Sequence, residues 1–461
     1  MKEELAAFVA GLRFSDVPTL AVERSVDAMI DCLGCAFAGS REPIARIMRA
    51  ALTTLPAGYG KAAPLLGARD YASPPDAALY NGTLAHALDF DDVTHPAIAH
   101  ATAVLLPAIL STAPLAQVTG EDAIVAYVIG VEVFGKLGRA LNNAHYRSGW
   151  HATSTFGTIA ATAAAARMLH LDAGQARHAL AIGASSASGL RANFGTMTKP
   201  LHAGYAARNG VLAAQLAHLG FTGTQDIFGA DYGFAKTFNQ RHETIAWDEL
   251  RRWGDELEVL SEFGLALKPY PACGATHPSI EAAILLRGDL GTRVADIEHI
   301  EVGVPEMAFQ PLIYPRPRSG LEGKFSMPFV VAAALLDGEV TLQTFTDERV
   351  ADPGIRALME RIDMKADARV ADSTEYACIM EARLAGGERR TRTVELAIGK
   401  PSRWFSREQL RHKFVSCMAG SETAVGADQL FERWLELSTA RDLNSFVRRT
   451  VTTGMPEVLT D

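Results

Sequence analysis

The stretch T-F-G-T-I-A-A-T-A-A-A-A-R-M-L-H-L, Thr155 to Leu171, decides how this chain folds. Ala, the strongest helix former, fills six of its seventeen positions. A second stretch rich in Ala, Gly and Ser follows, and the pattern predicts a helix over 175–190. Side chains this small let helices approach closely, so the region reads as the centre of a tightly packed helical core. Outward in both directions the pattern stays helical. Pro74-Pro75-Asp76 lead into a helix ending at His86, and further helices are predicted over 101–116, 122–141 and 205–219. The last is stopped by Gly220.

Near residue 268 the character changes. Ile300, Val302 and Val304 alternate with Glu301 and Gly303, the period of a strand. A helix is predicted over 327–336. A hairpin is predicted from 377–384 and 391–398, joined through Gly386-Gly387. After Pro401 helical signals return. Ser406 and Gln409 have capping-box spacing, and helices follow over 428–437 and 441–451. The fold class is therefore mainly α: a large all-helical domain of residues 1–267, completed by 401–461, and a smaller α+β domain of 268–400.

The bulk properties narrow the function. A length of 461 residues exceeds one compact core. A formal net charge of −9 argues against a nucleic-acid-binding face, which needs a basic surface. The acidic start Met1-Lys2-Glu3-Glu4 is no signal peptide, and no run of about 18 apolar residues occurs. Both readings place the chain in the cytoplasm, away from membranes. Five cysteines are an odd count and too few for a disulfide scaffold. Cys32 and Cys35 lie in helical surroundings and read as small packed residues, as does Cys273.

Four segments carry the chemistry: Ala87 to His100, Gly149 to Thr153, Gly195 to Gly204, and Lys268 to His277. They contain five of the 13 histidines. Each stands beside Gly, Pro or Thr, as side chains displayed at element ends do. In the first, Asp89, Asp91 and Asp92 precede His95 and His100. This set suits orientation of a base; it also leaves open a metallohydrolase using Asp91, Asp92, His95 and His100. His151 opens a Thr/Ser-rich turn before a long helix, whose N-terminus can seat a carboxylate. Lys199 lies in a Thr/Gly/Pro loop, with His202 three residues on. Arg191 nearby offers a second cation to clamp carboxylates. Lys268 and His277 bracket a Pro-stiffened segment at the domain boundary, where clefts tend to form. No G-K-[ST] phosphate loop and no G-x-S-x-G elbow occurs.

Taken in order, H-A-L-D-F-D-D (His86 to Asp92), G-W-H-A-T, F-G-T-M-T-K-P-L-H-A-G (Phe194 to Gly204), K-P-Y-P-A-C (Lys268 to Cys273) and G-K-F-S-M-P (Gly323 to Pro328) resemble the MmgE/PrpD family over nearly the whole chain. That family includes 2-methylcitrate dehydratase, cis-aconitate decarboxylase and iminodisuccinate epimerase. The resemblance implies that the α+β domain is a lid, that the protein is a homodimer, and that no cofactor and no metal is used. It implies a small anionic di- or tricarboxylate substrate and a site of Asp89, His100, His151, Lys199, Lys268 and His277. Members often have Thr directly after the Asp pair; here Val93 stands there, and Thr94, next along, is the substrate-binding candidate.

The residue types fit that chemistry on their own terms. A proton next to a carboxylate is weakly acidic. Removing it takes a base, and hydrogen bonds or positive charge on the developing enediolate-like oxygens. His151 and His100 are the expected base and acid, with Asp89, Lys199 and His277 beside them. Arg191, Lys268, Thr94 and His202 are expected to hold substrate. The leading expectation is a lyase of the 2-methylcitrate dehydratase kind. An iminodisuccinate-type epimerase or a cis-aconitate decarboxylase stands behind it. An inactive carboxylate-binding protein is the competitor from outside enzymology.

Overall fold

The Ala-rich stretch forms the helix Ala152–Met168, in which every residue except Arg167 is buried. The computed structural model describes residues 2–56, 59–239, 244–373, 375–420 and 426–452. The chain is mainly α-helical, and none of its described helices is long and apolar enough to cross a membrane. It divides into two compact units. The first comprises Met1–Ala87, Asp91–Leu267 and Phe405–Asp461, and the second Leu88–Phe90 and Lys268–Trp404.

In the first unit, small residues set which helices touch. A Cβ placed on Gly210 of helix Thr198–His218 would stand 2.4 Å from the Cβ of Ala161. One placed on Gly204 would stand 2.3 Å from the carbonyl oxygen of Leu79 in helix Pro74–His86. The Thr198–His218 helix thus meets both neighbours backbone to backbone. Gly204→Ala is expected to overpack this crossing, costing about 1–3 kcal/mol, whereas Gly288→Ala, whose Cβ meets nothing within 4 Å, costs nothing. Thermal melting of both variants checks this; equal melting points would refute the crossing.

Side-chain caps fix where the helices begin. Ser73 accepts from the Asp76 N–H, with prolines in the first turn, where their missing N–H is not needed. Thr119 with Asp122, and Ser406 with Gln409, form capping boxes. The helix that Ser406 starts, Arg407–Met418, returns to the N-terminal helix Thr19–Gly39. There Lys413 Nζ lies 2.7 Å from the buried Asp31 carboxylate. Cys32 and Cys35 are buried in the Thr19–Gly39 helix, where burial pushes both thiols well above their ordinary range.

Two helix readings change. The helix predicted over 175–190 is Ala173–Ser185; beyond it Leu190 bridges to Trp150. The helix predicted from Tyr205 begins earlier, at Thr198, so Lys199 is not in a loop. Pro200 falls in the first turn, which tolerates it, and so does not mark a break.

The second unit holds a four-stranded sheet among its described residues, in the order Ile362–Ala366, Ile297–Val304, Cys378–Leu384, Arg389–Val394. The first pair is parallel, with Ile300 opposite Ile362. The others are antiparallel, with Ile300 opposite Ala382 and Met380 opposite Arg392. Gly386 and Gly387, at φ of 85° and 86°, turn the hairpin in a three-residue loop with Ala385, closed by the Gly387 N–H donating to the Leu384 carbonyl. Helices His277–Leu290 and Met327–Asp337 share a core with the sheet, built from Ile280, Leu286, Val330, Ile300, Val302 and Met380.

Candidate active site

In the helical unit, the close crossing of Pro74–His86 with Thr198–His218 brings His86 and Lys199 together. Lys199 Nζ lies 3.0 Å from His86 Nε2, and His86 Nδ1 lies 2.9 Å and 3.1 Å from the two oxygens of Asp91. All three side chains are buried. Burial outweighs the pull of Asp91 and pushes His86 down to about 3, so its ring is neutral. A carboxylate only accepts, so the ring hydrogen sits on Nδ1 and Nε2 accepts from the Lys199 ammonium. Burial alone would raise Asp91, but His86 and His100 outweigh it and hold this carboxyl well below its usual range.

His100 stands on the other side of Asp91. Its Nδ1 lies 2.8 Å from the Asp92 carbonyl oxygen and 3.3 Å from Asp91 Oδ2. Both neighbours are acceptors, so Nδ1 carries the hydrogen and Nε2 is the basic nitrogen. The His86 and His100 rings are 4.2 Å apart between centroids. Asp92 turns its carboxylate away, accepting the Thr102 N–H at 2.9 Å. Burial, then the Asp91 charge, pushes Asp92 up to about 7.

His151 is the N-cap residue of Ala152–Met168 and is buried. Its Nδ1 lies 3.0 Å from Nδ1 of His202, so one ring donates and the other accepts. Burial is the main cause that pushes His151 well down and His202 down to about 4, with Lys199 adding to both. Two imidazoles sharing one hydrogen can relay a proton: as one ring takes one up, the other gives one away. Phe194 packs edge-on against His151, with 4.9 Å between ring centroids, and its face lies 5.5 Å from Lys199 Nζ. The Ser154 hydroxyl, at the N-terminus of the same helix, is buried with no hydrogen-bond partner among the described residues.

The remaining candidates are placed as follows. Thr94 is buried on the strand Val93–Thr94, paired with Leu265–Ala266. Arg191 lies over the Tyr146 ring at 3.5 Å and donates to the Tyr146 carbonyl at 2.7 Å. Asp89, Lys268 and His277 belong to the second unit. There Asp89 has a left-handed backbone (φ 53°), a conformation unusual outside glycine and enriched at functional sites. Lys268 Nζ lies 3.0 Å from Asp89 Oδ1 and donates to the Asp89 carbonyl at 2.9 Å. His277 Nε2 donates to the Ala272 carbonyl at 3.1 Å. Burial, with Lys268 adding to it, drives His277 well down. Lys324 donates to the carbonyls of Leu88 and Pro271.

Sequence reasoning assigned no role to His86, Phe194 or Lys324, and read Asp91 only within an Asp group suited to orienting a base. His86 precedes Asp91 by five residues across a helix end, a spacing no single-element pattern contains. His86, Asp91 and His100 are the donors in this unit that could hold a divalent ion. The set of Asp91, Asp92, His95 and His100 does not form, because Asp92 offers His100 its carbonyl and gives its carboxylate to Thr102.

Comparison with known proteins identifies the family. Residues 3–244 match the family model of the MmgE/PrpD N-terminal domain, and residues 270–437 that of the MmgE/PrpD C-terminal domain. A cis-aconitate decarboxylase of Mus musculus is 31% identical over 427 residues, covering 89% of this chain and 85% of that protein. One of Homo sapiens is 29% identical over 434 residues, covering 89% and 86%. One of Aspergillus terreus is 26% identical over 446 residues, covering 91% and 89%.

Proposed function

The chain belongs to the MmgE/PrpD family of enzymes, and on that premise we propose that it is a cofactor-independent lyase that decarboxylates a small tricarboxylate of the cis-aconitate type. The observation that carries the reading is the buried group of Lys199, His86, Asp91 and His100 beside the His151–His202 pair. Such a group joins one fixed cation to neutral imidazoles that hold or accept a proton. Decarboxylation is preferred over 2-methylcitrate dehydration because the similar curated proteins are named cis-aconitate decarboxylases.

The chemistry follows from the substrate. In cis-aconitate a CH₂–COO⁻ arm adjoins a carbon–carbon double bond conjugated to another carboxylate. The bond to the leaving carboxylate breaks and its electron pair forms a new double bond to the arm carbon. The old double-bond pair moves onto the carbon next to the conjugated carboxylate, whose oxygens take enediolate character. Carbon dioxide leaves, and one proton adds to that carbon. The Lys199 ammonium stabilises the developing negative charge. The proton comes from water through an imidazole: His100, whose Nε2 can take it up beforehand, or the His151–His202 pair, which relays it as the carbon is protonated. Within the second unit, Asp89, Lys268 and His277 are the proposed carboxylate-binding groups. A homodimer is part of this reading.

Product analysis tests it. Purified protein is given 2-methylcitrate, cis-aconitate and iminodisuccinate separately, with and without a chelator. The expected outcome is carbon dioxide release from cis-aconitate, unchanged by the chelator. Dehydration of 2-methylcitrate in its place would restore the dehydratase reading, inversion of iminodisuccinate the epimerase, and loss of activity with chelator a metal enzyme.

A further inference from the structure

The mechanism above uses Lys199 as a cation and leaves His86 and Asp91 without a step. We propose that His86, anchored by Asp91, is a positioning residue for Lys199: it accepts one ammonium N–H and so fixes where the cation stands toward the substrate. The proposal rests on the reaction just described and adds residues to it.

Geometry carries the argument. An unheld lysine has four rotatable side-chain bonds, and a compact ammonium charge finds no direction of its own. Here a neutral ring nitrogen stands 3.0 Å from Nζ. That nitrogen accepts only while the ring hydrogen is on Nδ1. Asp91 enforces this tautomer by facing Nδ1 with both oxygens, at 2.9 Å and 3.1 Å. The ring itself is fixed, being 1% exposed at the end of a helix that the Gly204 crossing locks in place. Asp91 also faces His100 Nδ1 at 3.3 Å. One carboxylate therefore orients two imidazoles. The arrangement has the logic of a carboxylate–imidazole pair backing a third group, with an ammonium as that group.

Three variants test it. His86→Leu removes the acceptor at similar volume; kcat is expected to fall by about 10²-fold, with KM changing much less. His86→Gln, whose amide oxygen reaches the Nε2 position, is expected to recover most of the loss. In a Lys199→Met background, His86→Leu is expected to cost nothing further, since the residue it acts through is gone. A full additional loss in that background, or His86→Gln as impaired as His86→Leu, overturns the proposal. If His86→Leu fails to fold, His86→Asn, whose amide reaches the Nδ1 position and falls short of Nζ, replaces it. If the wild type turns over none of the three acids, the reaction reading falls by itself. The pairing is then read from ¹⁵N shifts of the histidine rings, with no substrate. The His86 Nε2 signal is expected to move in Lys199→Met, and an unmoved signal overturns the pairing.

Discussion

Lys199→Met is expected to lower kcat/KM by about 10³-fold, roughly 4 kcal/mol of transition-state stabilisation, with most of the loss in kcat. The size follows from where the charge sits. Lys199 is 6% exposed, on the first turn of a helix and against the Phe194 face. Water competes weakly there, so a cation acts more strongly on a developing enediolate than it would at the surface. The cation acts mainly on charge that develops during the reaction, so substrate binding is expected to change less. Lys236, which is exposed and paired with Asp231, serves as the control: Lys236→Met is expected to leave kcat unchanged. A Lys199→Met enzyme within threefold of wild type, with an unchanged melting point, removes Lys199 from the chemistry.

The second large effect concerns stability. Lys413→Met is expected to cost about 3–5 kcal/mol at pH 8 and little or nothing at pH 5. Lys413 and Asp31 are buried, and their ion pair joins the N-terminal helix Thr19–Gly39 to the C-terminal helix Arg407–Met418. Burial outweighs even this close cation and pushes Asp31 up to about 6. A raised folded-state value means that the folded chain binds the Asp31 proton more tightly than the unfolded one. That contribution is complete below the unfolded value of about 4 and is lost as pH rises through about 6. Without Lys413 the folded value rises further, and the loss continues above pH 6. At pH 5 Asp31 is protonated in both proteins, so the missing cation matters little. Calorimetric melting of the two proteins at pH 5 and pH 8 checks this. A gap of the same size at both pH values would contradict the pairing.

Much of the fold is legible in the residues, for identifiable reasons. The Ala-rich helix and its neighbours repeat strong helix formers over long spans, and Ser406 with Gln409 marks a helix start that the structure contains. Strand Ile297–Val304 announces itself by alternation. Strand Ile362–Ala366 does not, because its parallel pairing with Ile300 to Val304 joins segments some sixty residues apart and its outer residues are exposed. The charged run Arg389 to Arg392 forms a strand although its composition favours a loop, because the two-glycine turn and the Cys378–Leu384 strand dictate it. The family, too, is legible, since its motifs stand in order. The individual side-chain partners are not. Lys199 reads as a loop cation until Gly204 is seen to bring its helix against Pro74–His86. His86 reads as a helix-end residue until Asp91 turns back to meet it. Arg191 reads as a carboxylate clamp, and the structure gives it the Tyr146 ring and carbonyl. Each of these depends on a packing distance that no local pattern encodes.

The most direct measurement is turnover of cis-aconitate in D₂O, with gas release and product NMR followed together. Proton addition next to a carboxylate by imidazoles charged from solvent predicts one carbon dioxide and one carbon-bound deuterium per product, both lost in Lys199→Met. Carbon dioxide release at the wild-type rate in Lys199→Met, or no conversion by the wild type, would contradict the account.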